Sequence, residues 1–203
     1  MREIRMVDLK AQYEKIGTEI DTAVKSVLQS TAFIKGPDVK LFEEELQAYM
    51  GVKHVVSCAN GTDALRIAMM VLGLHPGDEV ITTDFTFVAT AEAAALLGLK
   101  IVFVDPDPGT FNISVNAIRE AITQRTRLIV PVHLFGQCAD MERIMDLAGK
   151  YNLYVIEDAA QATGAEYYFK NGTSKKAGTI SHIGTTSFFP SKNLGCCGDG
   201  GAL

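Results

Sequence analysis

The sequence predicts an α/β protein, a mostly parallel sheet flanked by helices. Short apolar runs alternate with amphipathic stretches along most of the chain. Several runs are continuous and rich in β-branched residues, as strands buried on both faces are. The polar residues that could carry chemistry follow the ends of those runs, where ligands bind in open α/β sheets.

Two helices come first, at 16–29 and 38–49, joined by Phe33-Ile34-Lys35-Gly36-Pro37. Strands are expected at 54–58, 79–83, 100–104, 127–132, 153–157 and 184–188. Helices at 63–72, 89–97, 115–122 and 141–150 lie between them. The last shows the helical period well, with Met141, Ile144, Met145 and Ala148 at i, i+3, i+4 and i+7. Ser114 and Asp140 suit the N-caps of the latter two. Right-handed crossovers then bring the C-terminal ends of the strands to one edge.

Composition narrows the function. The chain has 203 residues, 47% hydrophobic and 21% charged, which suits one globular domain with a real core. A net charge of -5 with no lysine/arginine block argues against nucleic acid. No apolar run approaches the ~20 residues that span a bilayer. Residues 1–5 lack the apolar core of a signal peptide, so a cytoplasmic setting is expected. Cys58, Cys138, Cys196 and Cys197 show no C-x-x-C spacing, and the four histidines are scattered, so no metal site is expected. Asn60-Gly61-Thr62 and Asn171-Gly172-Thr173 match a glycosylation pattern but read as turns.

The chemistry centres on Lys192, which closes Ser187-Phe188-Phe189-Pro190-Ser191-Lys192 before a glycine-rich stretch. A lysine among small and apolar residues can lose its proton and attack a carbonyl, such as an aldehyde cofactor. Taken alone, composition favours reading it as a surface charge. Asp158 ends a buried strand, where a carboxylate needs a partner. A protonated pyridine nitrogen suits it, and a helix cap is the alternative. Glu157 should point to the opposite face of the sheet. Gln161, three residues on, can hydrogen-bond a ring substituent. Gly61 and Thr62 open a helix and can cradle a phosphate, or form an ordinary capped turn. Phe87 can stack on a flat ring or belong to the core. Ser187 offers a hydroxyl to a phosphate, or is a buried serine satisfied by backbone. No Walker loop, dinucleotide fingerprint or G-x-S-x-G elbow occurs.

These motifs together resemble the pyridoxal-phosphate-dependent sugar aminotransferases of the DegT/DnrJ/StrS type, a branch of the aspartate aminotransferase-like fold. The resemblance runs from Met6-Val7-Asp8-Leu9 to the end of the chain. It includes Cys58-Ala59-Asn60-Gly61-Thr62-Asp63, Thr86-Phe87-Val88-Ala89-Thr90, Phe135-Gly136-Gln137, Glu157-Asp158-Ala159-Ala160-Gln161 and the Lys192 segment. It implies that Lys192 forms the imine with pyridoxal 5'-phosphate and shuttles a proton. Asp158 would then hold the ring nitrogen and Gln161 the phenolic side of the ring. Phe87 would stack on the ring, and Gly61, Thr62 and Ser187 would hold the phosphate. It further implies a homodimer, an amino-acid donor such as glutamate, and a nucleotide-linked keto sugar as acceptor, closest to UDP-linked 3-keto sugars. Family members continue past this point, so residues 1–203 are expected to be an N-terminal segment and an incomplete large domain.

Three rivals remain. Relatives that dehydrate sugars with the same cofactor carry histidine in place of the lysine, so Lys192 argues for amino transfer. A second is a non-catalytic, cofactor-dependent regulator. A lysine-based, aldolase-like enzyme gives no reason for the Asp158–Gln161 pair.

Overall fold

The computed structural model describes residues 4 and 6–203. The reading of residues 1–5 for a signal peptide therefore falls almost wholly outside the described residues. Helix α1 (Leu9–Ser30) starts where the Asp8 side chain accepts from the Ala11 N–H. It begins seven residues earlier than the expected 16–29, because 9–15 holds good helix formers and no breaker. Helix α2 (Pro37–Met50) has proline in its first turn, and Gly51 closes it in the left-handed region. Then come β1 (Ser57–Cys58), α3 (Gly61–Val71), β2 (Glu79–Thr83), α4 (Ala89–Leu96) and β3 (Lys100–Val104). They are followed by α5 (Val115–Ala121), β4 (Thr126–Val130), a 3-10 turn (Leu134–Gly136), α6 (Met141–Tyr151) and β5 (Tyr154–Asp158). Last are β6 (Glu166–Tyr168), β7 (Ser174–Lys176), β8 (Ile183–Ser187) and β9 (Gly201–Ala202). Ser114 and Asp140 cap α5 and α6 through their side chains.

The main sheet has seven strands in the order β1-β9-β8-β5-β4-β2-β3. β3, β2, β4, β5 and β8 run parallel, and β9 runs antiparallel to both its neighbours. The fold is thus α/β and mostly parallel, as the alternation predicts. Neighbouring strand residues divide the core between two faces. Ile81, Ile129 and Val155 pack with Ile118 of α5 and with Met141, Ile144 and Ala148 of α6. Val80, Leu128, Val130 and Ile156 pack with Leu65, Ala68 and Met69 of α3 and Ala93 and Ala94 of α4. Each large aliphatic side chain buried this way contributes about 1.5–3 kcal/mol.

Several expectations are corrected. The 54–58 strand shortens to Ser57–Cys58, paired with Ala202 and Gly201 of β9. The 127–132 strand becomes Thr126–Val130, since Pro131 has no N–H to continue the ladder. The β6–β7 hairpin has no counterpart in the sequence reading. Its strands are short, polar and half exposed, so they leave no apolar period to detect. Its turn is Asn171-Gly172-Thr173, with Asn171 accepting from the Thr173 N–H and hydroxyl. Among the described residues, no helix is long and apolar enough to cross a membrane.

At the N-terminal edge of the sheet, Glu79 is 1% exposed. It accepts from Thr123, from Lys100 at 3.1 Å and from Arg125 at 2.9 Å, which ties the starts of β2, β3 and β4 together. The Thr123 hydroxyl bond outweighs the cost of burial. With the two cations, it holds the carboxyl down at about 2.

Candidate active site

The opposite, C-terminal edge of the sheet carries a cavity of about 480 Å³. All seven residues singled out in the sequence line it: Gly61, Thr62, Phe87, Asp158, Gln161, Ser187 and Lys192. They end or follow four strands, β1, β2, β5 and β8, whose C-terminal ends point one way.

The α3 N-terminus forms one wall. Asn60 caps it, its side chain accepting from the Asp63 N–H at 2.8 Å. The N–H groups of Gly61 and Thr62 take no partner among the described residues, so an anion can engage them. Ser187, the last residue of β8, stands beside them. A Cβ on Gly61 would lie 2.7 Å from that of Ser187, so only glycine allows this approach. The antiparallel β9 seals the same corner, and a Cβ on Gly201 would meet the Asn60 backbone at 2.4 Å. Burial pushes the nearby Cys58 thiol up, which leaves it a poor nucleophile.

Asp158 forms the floor. It is 5% exposed and the last residue of β5. Its Oδ2 accepts from Thr90 Oγ1 at 2.8 Å, and its Oδ1 from the Ala160 N–H at 3.2 Å. No lysine, arginine or histidine pairs with it among the described residues. Two neutral donors compensate a buried carboxylate only in part, so the site suits a cationic ring nitrogen. Glu157 does point to the other face, as alternation requires. It accepts from His133 Nε2 at 2.9 Å and from the N–H groups of Gly178, Ile180 and Ser181 at 2.7–2.9 Å. Burial pushes Glu157 up, but these donors outweigh it and hold the carboxyl below its ordinary value. His133 Nδ1 accepts from the Ala139 N–H, so the ring proton sits on Nε2, toward Glu157.

Gln161 lies in a turn, not a helix. Its Oε1 accepts from the Phe135 N–H at 2.9 Å, which fixes the amide orientation. The amide nitrogen takes no partner among the described residues. Phe135 makes that bond from the left-handed region, at φ 54, with its side chain 76% exposed. A non-glycine residue there costs of order 1–2 kcal/mol. Phe87 is 66% exposed and precedes α4 by two residues, so it is a cavity wall and not core. Lys192 ends a turn closed by its own N–H to the Phe189 carbonyl at 2.8 Å. It has no carboxylate partner among the described residues. Gly195 lets the loop fold back, since a Cβ there would meet the Pro190 carbonyl oxygen at 2.3 Å.

Thr86, Thr90 and Asp199 also line the cavity, and sequence reasoning passed over them. The i, i+4 spacing of Thr86 and Thr90 in an alanine-rich stretch was the available signal. Asp199 had none, because it lies in the irregular loop leading into β9.

The cavity's donor set fits pyridoxal phosphate. It combines unpaired N–H groups beside a hydroxyl, an incompletely paired carboxylate, an exposed aromatic face and a lysine.

The family model described as the DegT/DnrJ/EryC1/StrS aminotransferase family matches residues 14–203. The chain is 51% identical over 200 residues to the UDP-2-acetamido-2-deoxy-3-oxo-D-glucuronate aminotransferase of Pseudomonas aeruginosa, covering 98% of this chain and 54% of that protein. It superimposes on DesV of S. venezuelae, solved in complex with a ketimine intermediate, with a TM-score of 0.92 and 40% identity. That match covers 100% of this chain and 53% of DesV. NtdA from Bacillus subtilis, solved with bound cofactor PMP, gives a TM-score of 0.91 at 36% identity, over 100% of this chain and 45% of NtdA. The chain spans about half the length of these relatives.

Proposed function

The chain belongs to the DegT/DnrJ/EryC1/StrS aminotransferase family, and on that premise we propose that it serves a pyridoxal-phosphate-dependent sugar-nucleotide aminotransferase. The reaction moves an amino group from an amino acid, with glutamate as the proposed donor, to a nucleotide-linked 3-keto sugar. The acceptor class follows the name of the Pseudomonas relative. The observation that carries the reading is the meeting of an unpaired lysine, a partly compensated carboxylate and free helix N–H groups around one cavity.

When bound, the cofactor supplies an aldehyde that takes up an amino group and a ring that draws electrons from the adjoining carbon. Lys192 would hold it through Nζ. Freed, the same nitrogen would take a proton from the substrate carbon as general base and deliver it, as general acid, to the carbon that had carried the cofactor's aldehyde. Asp158 would face the ring nitrogen and keep it charged. The Gln161 amide nitrogen, turned by the Phe135 N–H, would donate to the ring's oxygen substituent. Phe87 would cover one ring face. Gly61, Thr62 and Ser187 would bind the phosphate, the first two through backbone N–H at the positive end of α3. A lysine at position 192 favours transfer over dehydration.

The same reading carries a homodimer and a cytoplasmic setting. For the dimer, Met70, Val71 and Leu96 on α3 and α4 offer exposed apolar surface.

Borohydride reduction of the full-length protein with pyridoxal phosphate, followed by peptide mapping, is expected to place the adduct on Lys192. A label on another lysine defeats the assignment. Lys192→Ala is expected to keep less than about 1% of turnover, a barrier increase above ~2.7 kcal/mol.

A further inference from the structure

Asp158 does not stand alone at the cavity floor. Thr90, 1% exposed in the first turn of α4, donates its hydroxyl proton to Asp158 Oδ2 at 2.8 Å across 68 residues of sequence. A hydroxyl has one proton, and Thr90 has given it away. The Thr86 hydroxyl lies 3.4 Å from the Thr90 oxygen, so Thr86 is the donor in that pair. The three residues form a one-way chain, Thr86 to Thr90 to Asp158, from the cavity wall to its floor. In such a chain each bond polarises the next.

We propose that Thr90 is a positioning residue for the ring nitrogen of the cofactor, acting through the Asp158 carboxylate. The inference rests on the cofactor reading above and adds to it a group that does not touch the ring. The bond from Thr90 fixes the carboxylate's rotation, so its free lone pairs face the cavity in one orientation. An oxygen held in that orientation would accept from a protonated ring nitrogen when the cofactor is bound. Without the Thr90 hydroxyl the carboxylate can rotate, and it would hold the ring N–H less consistently.

The charged groups around the carboxylate do not substitute for Thr90. Lys192 and Asp199 line the same cavity, and neither bonds to Asp158 among the described residues. Glu157 and His133 are paired with each other on the far face of β5. The remaining donor, the Ala160 N–H, is a backbone group on the other carboxylate oxygen. Thr90 is thus the side chain through which the sequence sets this carboxylate.

The test uses the full-length protein loaded with pyridoxal phosphate labelled with ¹⁵N in the ring. Wild type is expected to show a pyridinium resonance. Thr90→Val is expected to move it toward neutral pyridine and to lower kcat about tenfold, with KM changed far less. Thr90→Ser, which keeps the donor, should restore both. If Thr90→Val does not fold or load, Thr90→Cys decides, because it keeps the volume and offers a weaker donor. An intermediate resonance in Thr90→Cys supports the proposal. A wild-type resonance in whichever of these two variants loads overturns it. A wild-type protein that takes up no cofactor defeats the cofactor reading itself, whereas loading with an unmoved resonance defeats the role of Thr90 alone.

Discussion

Gly61 shows how one residue can matter through what it lacks. Its backbone angles are helical, so conformational freedom does not explain it. A Cβ would stand 2.7 Å from the Ser187 Cβ, and neither atom is the far end of a flexible chain. Gly61→Ala must therefore part β8 from the α3 N-terminus, the two elements assigned to the phosphate. The expected outcome is at least about a tenfold loss of pyridoxal phosphate affinity, or ~1.4 kcal/mol, with the far-UV circular dichroism unchanged. A spectrophotometric titration measures it, and an unchanged Kd would show that Gly61 and Ser187 do not share one ligand. Lys192, Asp158 and Gln161 were legible because each breaks a local expectation, such as a carboxylate closing an apolar strand. Thr90 was not, because its one cue, the i, i+4 spacing from Thr86, gives no hint of a carboxylate on another element. Its partner lies 68 residues away in sequence.

Among the elements, β2 does two jobs, one at each end. Its C-terminal end leads to Phe87 and Thr90, and its N-terminal residue, Glu79, anchors the three-strand clamp. The Glu79 carboxyl sits at about 2 in the fold against an ordinary value of 4.5. A depressed value stabilises the folded form in full above the ordinary value, and that stability is lost as the pH falls from about 4.5 toward 2. Thermal melts followed by circular dichroism should show Tm falling through that window. In Glu79→Gln the fall should be shallower, and Tm at pH 7 lower than wild type. An equally steep acid limb in the variant would remove Glu79 from the account. Elements with an apolar period, such as β2, β3 and α6, were legible to within a residue or two. The β6–β7 hairpin and the two-residue β1 were not, since their pairing depends on strands that only the fold brings beside them.

For the molecule as a whole, stability is concentrated in the central strands. Every residue of β2 and four of five in β5 are buried, whereas α1 buries none of its 22. Native-state hydrogen exchange should therefore find the amides of β2, β4 and β5 the most protected and those of α1 among the fastest. Slow exchange throughout α1 would mean that it packs on something further in solution. The sequence by itself determined the α/β class, the sheet edge that carries the cavity, and the seven residues around it. Those follow from period, strand direction and residue chemistry, which are local properties of the chain. Only the tertiary structure decided that β9 runs antiparallel, that Asp199 and Thr90 reach the cavity, and that Phe135 turns Gln161 toward it. Each of these depends on contacts between residues far apart in sequence. Such contacts are set by close packing and by the need of every buried polar group for a partner, and neither leaves a periodic trace in the chain.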